Sequence, residues 1–219
     1  MADASKPSTA QWLIALGVAL ALSGAFLAWR HWPGPAPALP PSGRLSSSTL
    51  IDDAVPLPAF ALRRAGSTLT NADLLGHWTL LDFGYTFCPD TCPTTLATLK
   101  EVKTQLEASG TASPQVIFVS VDAARDTPAR LADYVRFFDP AFIGATGDDA
   151  ELGSLVKHLG VQYERHDTQD KKRYVVDHSA VVYLIDPQGK LKATFSWPHD
   201  AATMATDYAQ ITSGRRASL

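Results

Sequence analysis

Sulfur is scarce in this chain, with two cysteines and two methionines among 219 residues. Met1 and Met204 are the only methionines, which excludes a methionine-rich metal site. Beyond the cysteine pair no separate resolving cysteine exists, which weakens a peroxidase reading. Basic clusters are also missing. Lys and Arg total 19 against 22 Asp and Glu, a net charge of −3, so nothing calls for a nucleic-acid partner. No internal repeat is evident.

Charge is absent altogether from Trp12 to Trp29. A bilayer core takes about 20 apolar residues as helix, with roughly 17 as the lower bound, so the run qualifies as a span. Trp12 and Trp29 fall where the two interfaces would lie, and indole is favoured there. A cleaved signal peptide has a shorter apolar core, about 7–15 residues, and Ala36-Pro37-Ala38 is a late, proline-bound cleavage site. The expectation is therefore an uncleaved single-pass anchor over 12–29 after a short tail, 1–11. The N-terminus is expected inside and the rest exported.

Residues 30–54 read as a spacer. Pro33, Pro35, Pro37, Pro40 and Pro41 stiffen it, and Ser46 to Ser48 read as solvated. Residues 55–219 read as one α/β domain, a mixed sheet covered by helices. Short strands are expected around Gly66, a central strand over Trp78–Tyr85 and another over 115–121. Helices are expected over Thr94–Ala108, from Asp126-Thr127-Pro128 to Phe138, from Asp148 to near His158 with Gly160 as stop, and over Ala201–Ile211. Strands are also expected at Phe142–Ala145 and Tyr174–Val176, then over Ser179–Ile185 and Lys190–Phe195 about a turn at Asp186-Pro187-Gln188-Gly189.

The two cysteines sit in Phe87-Cys88-Pro89-Asp90-Thr91-Cys92-Pro93, between the central strand and a helix. At a helix N-terminus orphan N–H groups and the dipole favour thiolate. A thiolate pair there can exchange disulfides or hold a soft metal. A merely structural disulfide would close so small a loop that it would constrain the unfolded chain little. His178, just before the apolar strand Ala180 to Ile185, is the third element. Two thiolates and one imidazole suit Cu(I), and imidazole also tolerates Cu(II), whereas structural zinc prefers four ligands.

Three segments resemble one known family. They are Phe83-Gly84-Tyr85-Thr86-Phe87-Cys88-Pro89-Asp90-Thr91-Cys92-Pro93-Thr94-Thr95-Leu96, Val119-Ser120-Val121-Asp122-Ala123-Ala124-Arg125-Asp126-Thr127-Pro128, and Asp177-His178-Ser179 through Gly189. Together, over about residues 55–212, they are similar to the Sco/SenC family. The resemblance implies a thioredoxin-like fold and copper ligands at Cys88, Cys92 and His178. It further implies a role in assembling the dinuclear copper centre of cytochrome c oxidase subunit II, by copper delivery, by reduction of that subunit's cysteines, or both. An upstream copper donor or thiol reductant is then a further partner. The implied place is the inner (cytoplasmic) membrane with the domain facing the periplasm, or the mitochondrial inner membrane in a eukaryote. Phe87 departs from the pattern, since many members carry a polar residue or histidine there.

Other residues have lesser expectations. Asp90 reads as turn-stabilising and otherwise as a weak oxygen ligand for Cu(II). Asp122 and Arg125-Asp126 read as an ion pair shaping the site, with Asp126 as a helix cap. Asp177 could orient His178, and Pro93 reads as a helix start. His31, His77, His158, His166 and His199 read as solvated. Two functions remain open at this point: a membrane-tethered copper metallochaperone, and a thiol–disulfide oxidoreductase using Cys88 and Cys92 as a redox pair.

Overall fold

The computed structural model describes residues 45–52, 55–166 and 174–214, together with 22, 23 and 26. The expected anchor at 12–29 and the expected spacer up to residue 44 therefore lie almost wholly outside the described residues. Among the described residues no helix is long and apolar enough to cross a membrane. The chain divides into two compact units, Met1–Ala36 and Pro37–Leu219, and the second holds the fold described below.

Three apolar segments form the parallel centre of a sheet: β4 (Thr79–Gly84), β5 (Gln115–Ser120) and β6 (Ile143–Thr146). Every residue of β4 is buried. Burial on both faces requires such a continuous run rather than an alternating one. Helix α1 (Thr91–Ala108) joins β4 to β5, and α2 (Pro128–Phe138) joins β5 to β6. The hairpin β9 (Val181–Ile185) and β10 (Leu191–Ser196) adds antiparallel to β4, closed by the turn at Asp186–Gly189. On the far side β2 (Ala61–Arg64) and β3 (Ser67–Thr70) pair about Gly66 and join β6 antiparallel. With β1 (Ser48–Leu50) at one edge, the eight-stranded order is β1-β10-β9-β4-β5-β6-β2-β3. Helices α3 (Asp149–Leu159) and α4 (Ala201–Thr212) complete the mixed sheet with flanking helices.

Local signals explain most boundaries. Asp148 and Glu151 form a reciprocal capping box at α3, and Gly160, at φ 69°, ends it in the left-handed conformation. Helix α1 buries Leu96, Leu99, Val102 and Leu106 along one face. It begins at Thr91, three residues before the expected Thr94. Pro93 does not delay it, because first-turn N–H groups have no intrahelical partner and proline loses nothing there. Cys92 therefore lies inside the helix.

Three further differences have physical causes. Thr127, not Asp126, caps α2, its hydroxyl accepting from the Arg130 N–H at 3.3 Å. Ser46 to Ser48, read as solvated spacer, close on α4 instead. The buried Asp207 carboxylate accepts from the backbone N–H groups of Ser46, Ser47 and Ser48 and from the hydroxyls of Ser47 and Ser48, at 2.8–3.2 Å. A strand β7 (Tyr163–His166) pairs with β8 (Val175–His178) as a separate two-stranded ribbon. Three of the four β7 residues are exposed, so no apolar alternation announced it.

Candidate metal centre

Three segments converge at the end of the sheet where β4 and β5 finish. Beyond β4 the chain turns, the Cys88 N–H bonding the Tyr85 carbonyl at 3.2 Å, which leaves Cys88 half-buried on the loop. Cys92 follows in the first turn of α1 and is fully buried. His178 ends β8, 86 residues further on. The sulfurs of Cys88 and Cys92 and a ring nitrogen of His178 lie within 4.8 Å of one another. Among the described residues no other His, Cys, Asp or Glu joins the group.

Hydrogen bonds orient the donors. His178 Nδ1 lies 3.2 Å from the Ser179 carbonyl, which can only accept, so Nδ1 carries the proton and Nε2 presents its lone pair. That Nε2 is 3.2 Å from Cys92 Sγ. Tyr85 packs edge-on against the imidazole, centroids 6.0 Å apart. The Cys92 N–H points at Cys88 Sγ at 3.4 Å. Gly84 makes the close approach possible, since a Cβ there would sit 2.6 Å from Cys92 Sγ.

The two thiols are driven apart in acidity. The Cys92 thiol donating to Cys88 pulls the Cys88 pKa far down, against burial, with His178 and the N–H groups of Cys92 and Asp90 helping. The same hydrogen bond, with burial and the charge of Asp82, pushes Cys92 far up. Cys88 is thus the thiolate of the pair and Cys92 the proton-bearing thiol. Burial opposes a charged His178, but the Cys88 thiolate and Asp82 outweigh it and raise its pKa.

Asp82 is the residue that sequence reading passed over. It sits within β4, 3% exposed, with one carboxylate oxygen lacking a hydrogen-bond partner among the described residues. Burial raises its pKa to about 7, although His178 pulls the other way. The signal was available, since an acid inside a run buried on both faces has no solvent to ionise into.

The remaining candidates separate. Asp122 and Arg125 do form an ion pair, Nε to Oδ2 at 2.5 Å. Asp126, fully buried, accepts from the Thr86 N–H and from the hydroxyls of Thr86 and Ser120, so it ties β5 to the loop before Cys88 instead of capping a helix. Asp177 pairs with His166 at 2.8 Å rather than with His178, because successive strand residues point to opposite faces. Asp90 stands at the α1 N-cap with no side-chain cap bond. His77 and His158 are exposed as expected. His199 is half-buried instead, between the Thr95 hydroxyl at 3.4 Å and the Phe195 carbonyl at 3.3 Å, and burial lowers its pKa. His31 lies outside the described residues. Phe87 stacks under two guanidinium groups, those of Arg125 and Arg130, at 4.7 and 4.2 Å.

A sheet of this topology with a thiol pair at the β4–α1 turn and an imidazole facing it defines a thioredoxin-like domain with a soft three-donor cluster. Residues 54–213 match the SCO1/SenC family model, and the chain belongs to that family. It is 32% identical over 191 residues to the mitochondrial SCO1 homologue of Homo sapiens, covering 85% of this chain and 62% of that protein. To the mitochondrial SCO2 homologue of Bos taurus it is 40% identical over 129 residues, covering 58% and 48%. The chain thus spans about half the length of the curated relatives it matches. The crystal structure of Arabidopsis thaliana ScoI with copper bound superposes with a TM-score of 0.68 at 33% identity, covering 73% of this chain and 99% of that one.

Proposed function

We propose that this protein is a membrane-anchored copper metallochaperone that takes one copper ion as cargo on Cys88, Cys92 and His178. The observation that carries the reading is the convergence of two sulfurs and one imidazole nitrogen within 4.8 Å. Three soft or borderline donors, with no fourth protein ligand among the described residues, suit Cu(I) better than structural zinc. The copper-bound Arabidopsis thaliana relative supports the choice of metal. Cys88 offers its thiolate first. Cys92 must release its proton to bind, so loading releases protons and depends on pH. His178 presents Nε2 because Nδ1 is held by the Ser179 carbonyl. The domain is 55–219 together with the edge strand β1 at Ser48–Leu50, carried by the preceding part of the 30–54 spacer and by the anchor at 12–29. It faces the periplasm from the inner membrane, or occupies the corresponding place in mitochondria. The proposed acceptor is the dinuclear copper centre of cytochrome c oxidase subunit II.

A second reading is favoured by the unequal acidity of the two thiols. Thiol–disulfide exchange needs one thiolate nucleophile and one buried resolving thiol. Cys88 thiolate would attack a disulfide in the oxidase subunit, forming a mixed disulfide and releasing one subunit thiolate. Cys92, on losing its proton, would attack Cys88 Sγ and release the second. The subunit gains two electrons, and Cys88–Cys92 is left as a disulfide for an upstream thiol reductant.

Copper titration of the reduced full-length protein, with wild type and His178→Ala compared, tests the first reading. One copper per wild-type chain, lost or strongly weakened in the variant, is expected. Equal binding by both proteins sinks the three-donor site, and no tight binding by either moves the weight to disulfide reduction.

A further inference from the structure

His178 does not lie in the main sheet. It ends β8, whose strand partner is β7, and this ribbon is not hydrogen-bonded into the eight-stranded sheet. A cavity of about 440 Å³ separates ribbon residues Tyr163, Arg165 and Tyr174 from Ala123, Gly147 and Asp148 of the body. The position of His178 relative to the cysteines therefore depends on the short link from His178 to β9 and on a few side-chain ties.

Those ties centre on Arg125. Its Nε donates to Asp122 Oδ2 at 2.5 Å, and its Nη1 donates to the Tyr174 carbonyl at 3.0 Å. The Tyr174 hydroxyl donates to the other Asp122 oxygen, closing a ring of three residues. The guanidinium lies 3.5 Å over the Tyr174 ring and 4.7 Å from the Phe87 ring. Tyr174 is the residue before β8, and Phe87 is the residue before Cys88. One cation thus touches the immediate neighbours of both ligand-bearing segments. Two further contacts are the Tyr163 hydroxyl on Asp149 at 2.8 Å and the Tyr85 ring edge-on to the His178 imidazole, centroids 6.0 Å apart. Neither reaches the cysteine loop beyond Tyr85.

We propose that Arg125 is a positioning residue for His178, latching the β7–β8 ribbon through Tyr174 to the loop that carries Cys88. The assignment of His178 as a copper ligand is the reading given above, and the latch deepens it. Lysine cannot replace arginine here. A single ammonium does not serve Asp122 and the Tyr174 carbonyl from two directions while also contacting the Tyr174 and Phe87 rings.

Two measurements on the full-length protein test the latch. The first is amide hydrogen exchange of the metal-free protein, comparing wild type with Arg125→Lys and with Tyr174→Phe. Faster exchange confined to residues 174–178 and their β7 partners is expected in both, less in Tyr174→Phe. Unchanged exchange overturns the proposal. A rise spread over the sheet also overturns it, since Arg125 would then merely stabilise the domain. The second is copper affinity in a cycle with His178→Ala. Arg125→Lys is expected to weaken binding about 10- to 100-fold, as outer partners of metal-ligating histidines do. In the His178→Ala background it should weaken binding much less, because the latch acts chiefly through that imidazole. Equal weakening in both backgrounds overturns the coupling. Failure of wild type to bind copper would overturn the chaperone reading while exchange still decides the latch.

Discussion

His178 Nε2 lies 3.2 Å from Cys92 Sγ, although β5, α2, β6, α3 and β7 intervene in the chain. That contact, with Cys88 beside it, makes the end of the sheet a chemical site. The same contact places an imidazole where it reports on the protonation of both sulfurs.

The two thiols should differ in reactivity. Cys88 is half-buried and held as thiolate, while Cys92 is buried and holds its proton. Brief alkylation of the reduced protein near pH 6, followed by peptide mass mapping, should label Cys88 and spare Cys92. Prior labelling of Cys92 would contradict the assigned roles.

Asp82 should make stability fall as pH rises. Its folded pKa, about 7, stands above the ordinary 3.8, so between those values the native state holds a proton the unfolded chain has lost. The stabilisation is complete below about pH 4 and is lost as pH rises through 7. Three pKa units at 1.36 kcal/mol each set the loss on the order of 4 kcal/mol. The raised pKa of His178 acts in the same direction through its own folded pKa. Denaturant unfolding from pH 4 to 8 should show the decline in wild type and a much shallower one in Asp82→Asn. Parallel curves would show that Asp82 does not carry it.

Gly84→Ala should damage the site without touching a donor. The added Cβ would meet Cys92 Sγ at 2.6 Å and the Phe118 ring at 2.8 Å. Overpacking of that kind costs about 1–3 kcal/mol. Thermal unfolding should fall accordingly and copper affinity should drop with it. An unchanged melting temperature would mean that the thiol and ring yield freely.

Asp207→Ala should release the edge of the sheet. The carboxylate satisfies three consecutive backbone N–H groups at Ser46 to Ser48, just where β1 begins. Losing one buried partner costs about 1–3 kcal/mol. Amide exchange should quicken at residues 46–50 before it does in β4 or β5. Uniform exchange across the sheet would argue against a local tether.

Much of the site was legible before the fold. Cys88 and Cys92 declared themselves by spacing and by the strand and helix on either side, whereas His178 was singled out by the presence of the cysteines and by the family resemblance. Asp126 was misassigned because Asp-Thr-Pro offers two capping residues, and only burial decides which one turns inward. Asp177 was expected beside His178, but the pleat of β8 sends neighbouring side chains to opposite faces. Asp82 was passed over although an acid within a continuous apolar run already signals burial.

The sequence by itself determined the local structure: the helices, the cap at Asp148, the stop at Gly160, the buried runs of β4 and β5 and the thiol pair at a helix start. Those features depend on residues a few positions apart, through capping, periodicity and backbone freedom. Only the tertiary structure decided that His178 meets the cysteines, that Arg125 joins Phe87 to Tyr174 and that Ser46 to Ser48 close on Asp207. Each of these is a meeting of segments distant in sequence. Strand order and ribbon docking set such meetings, and no short stretch of sequence encodes them.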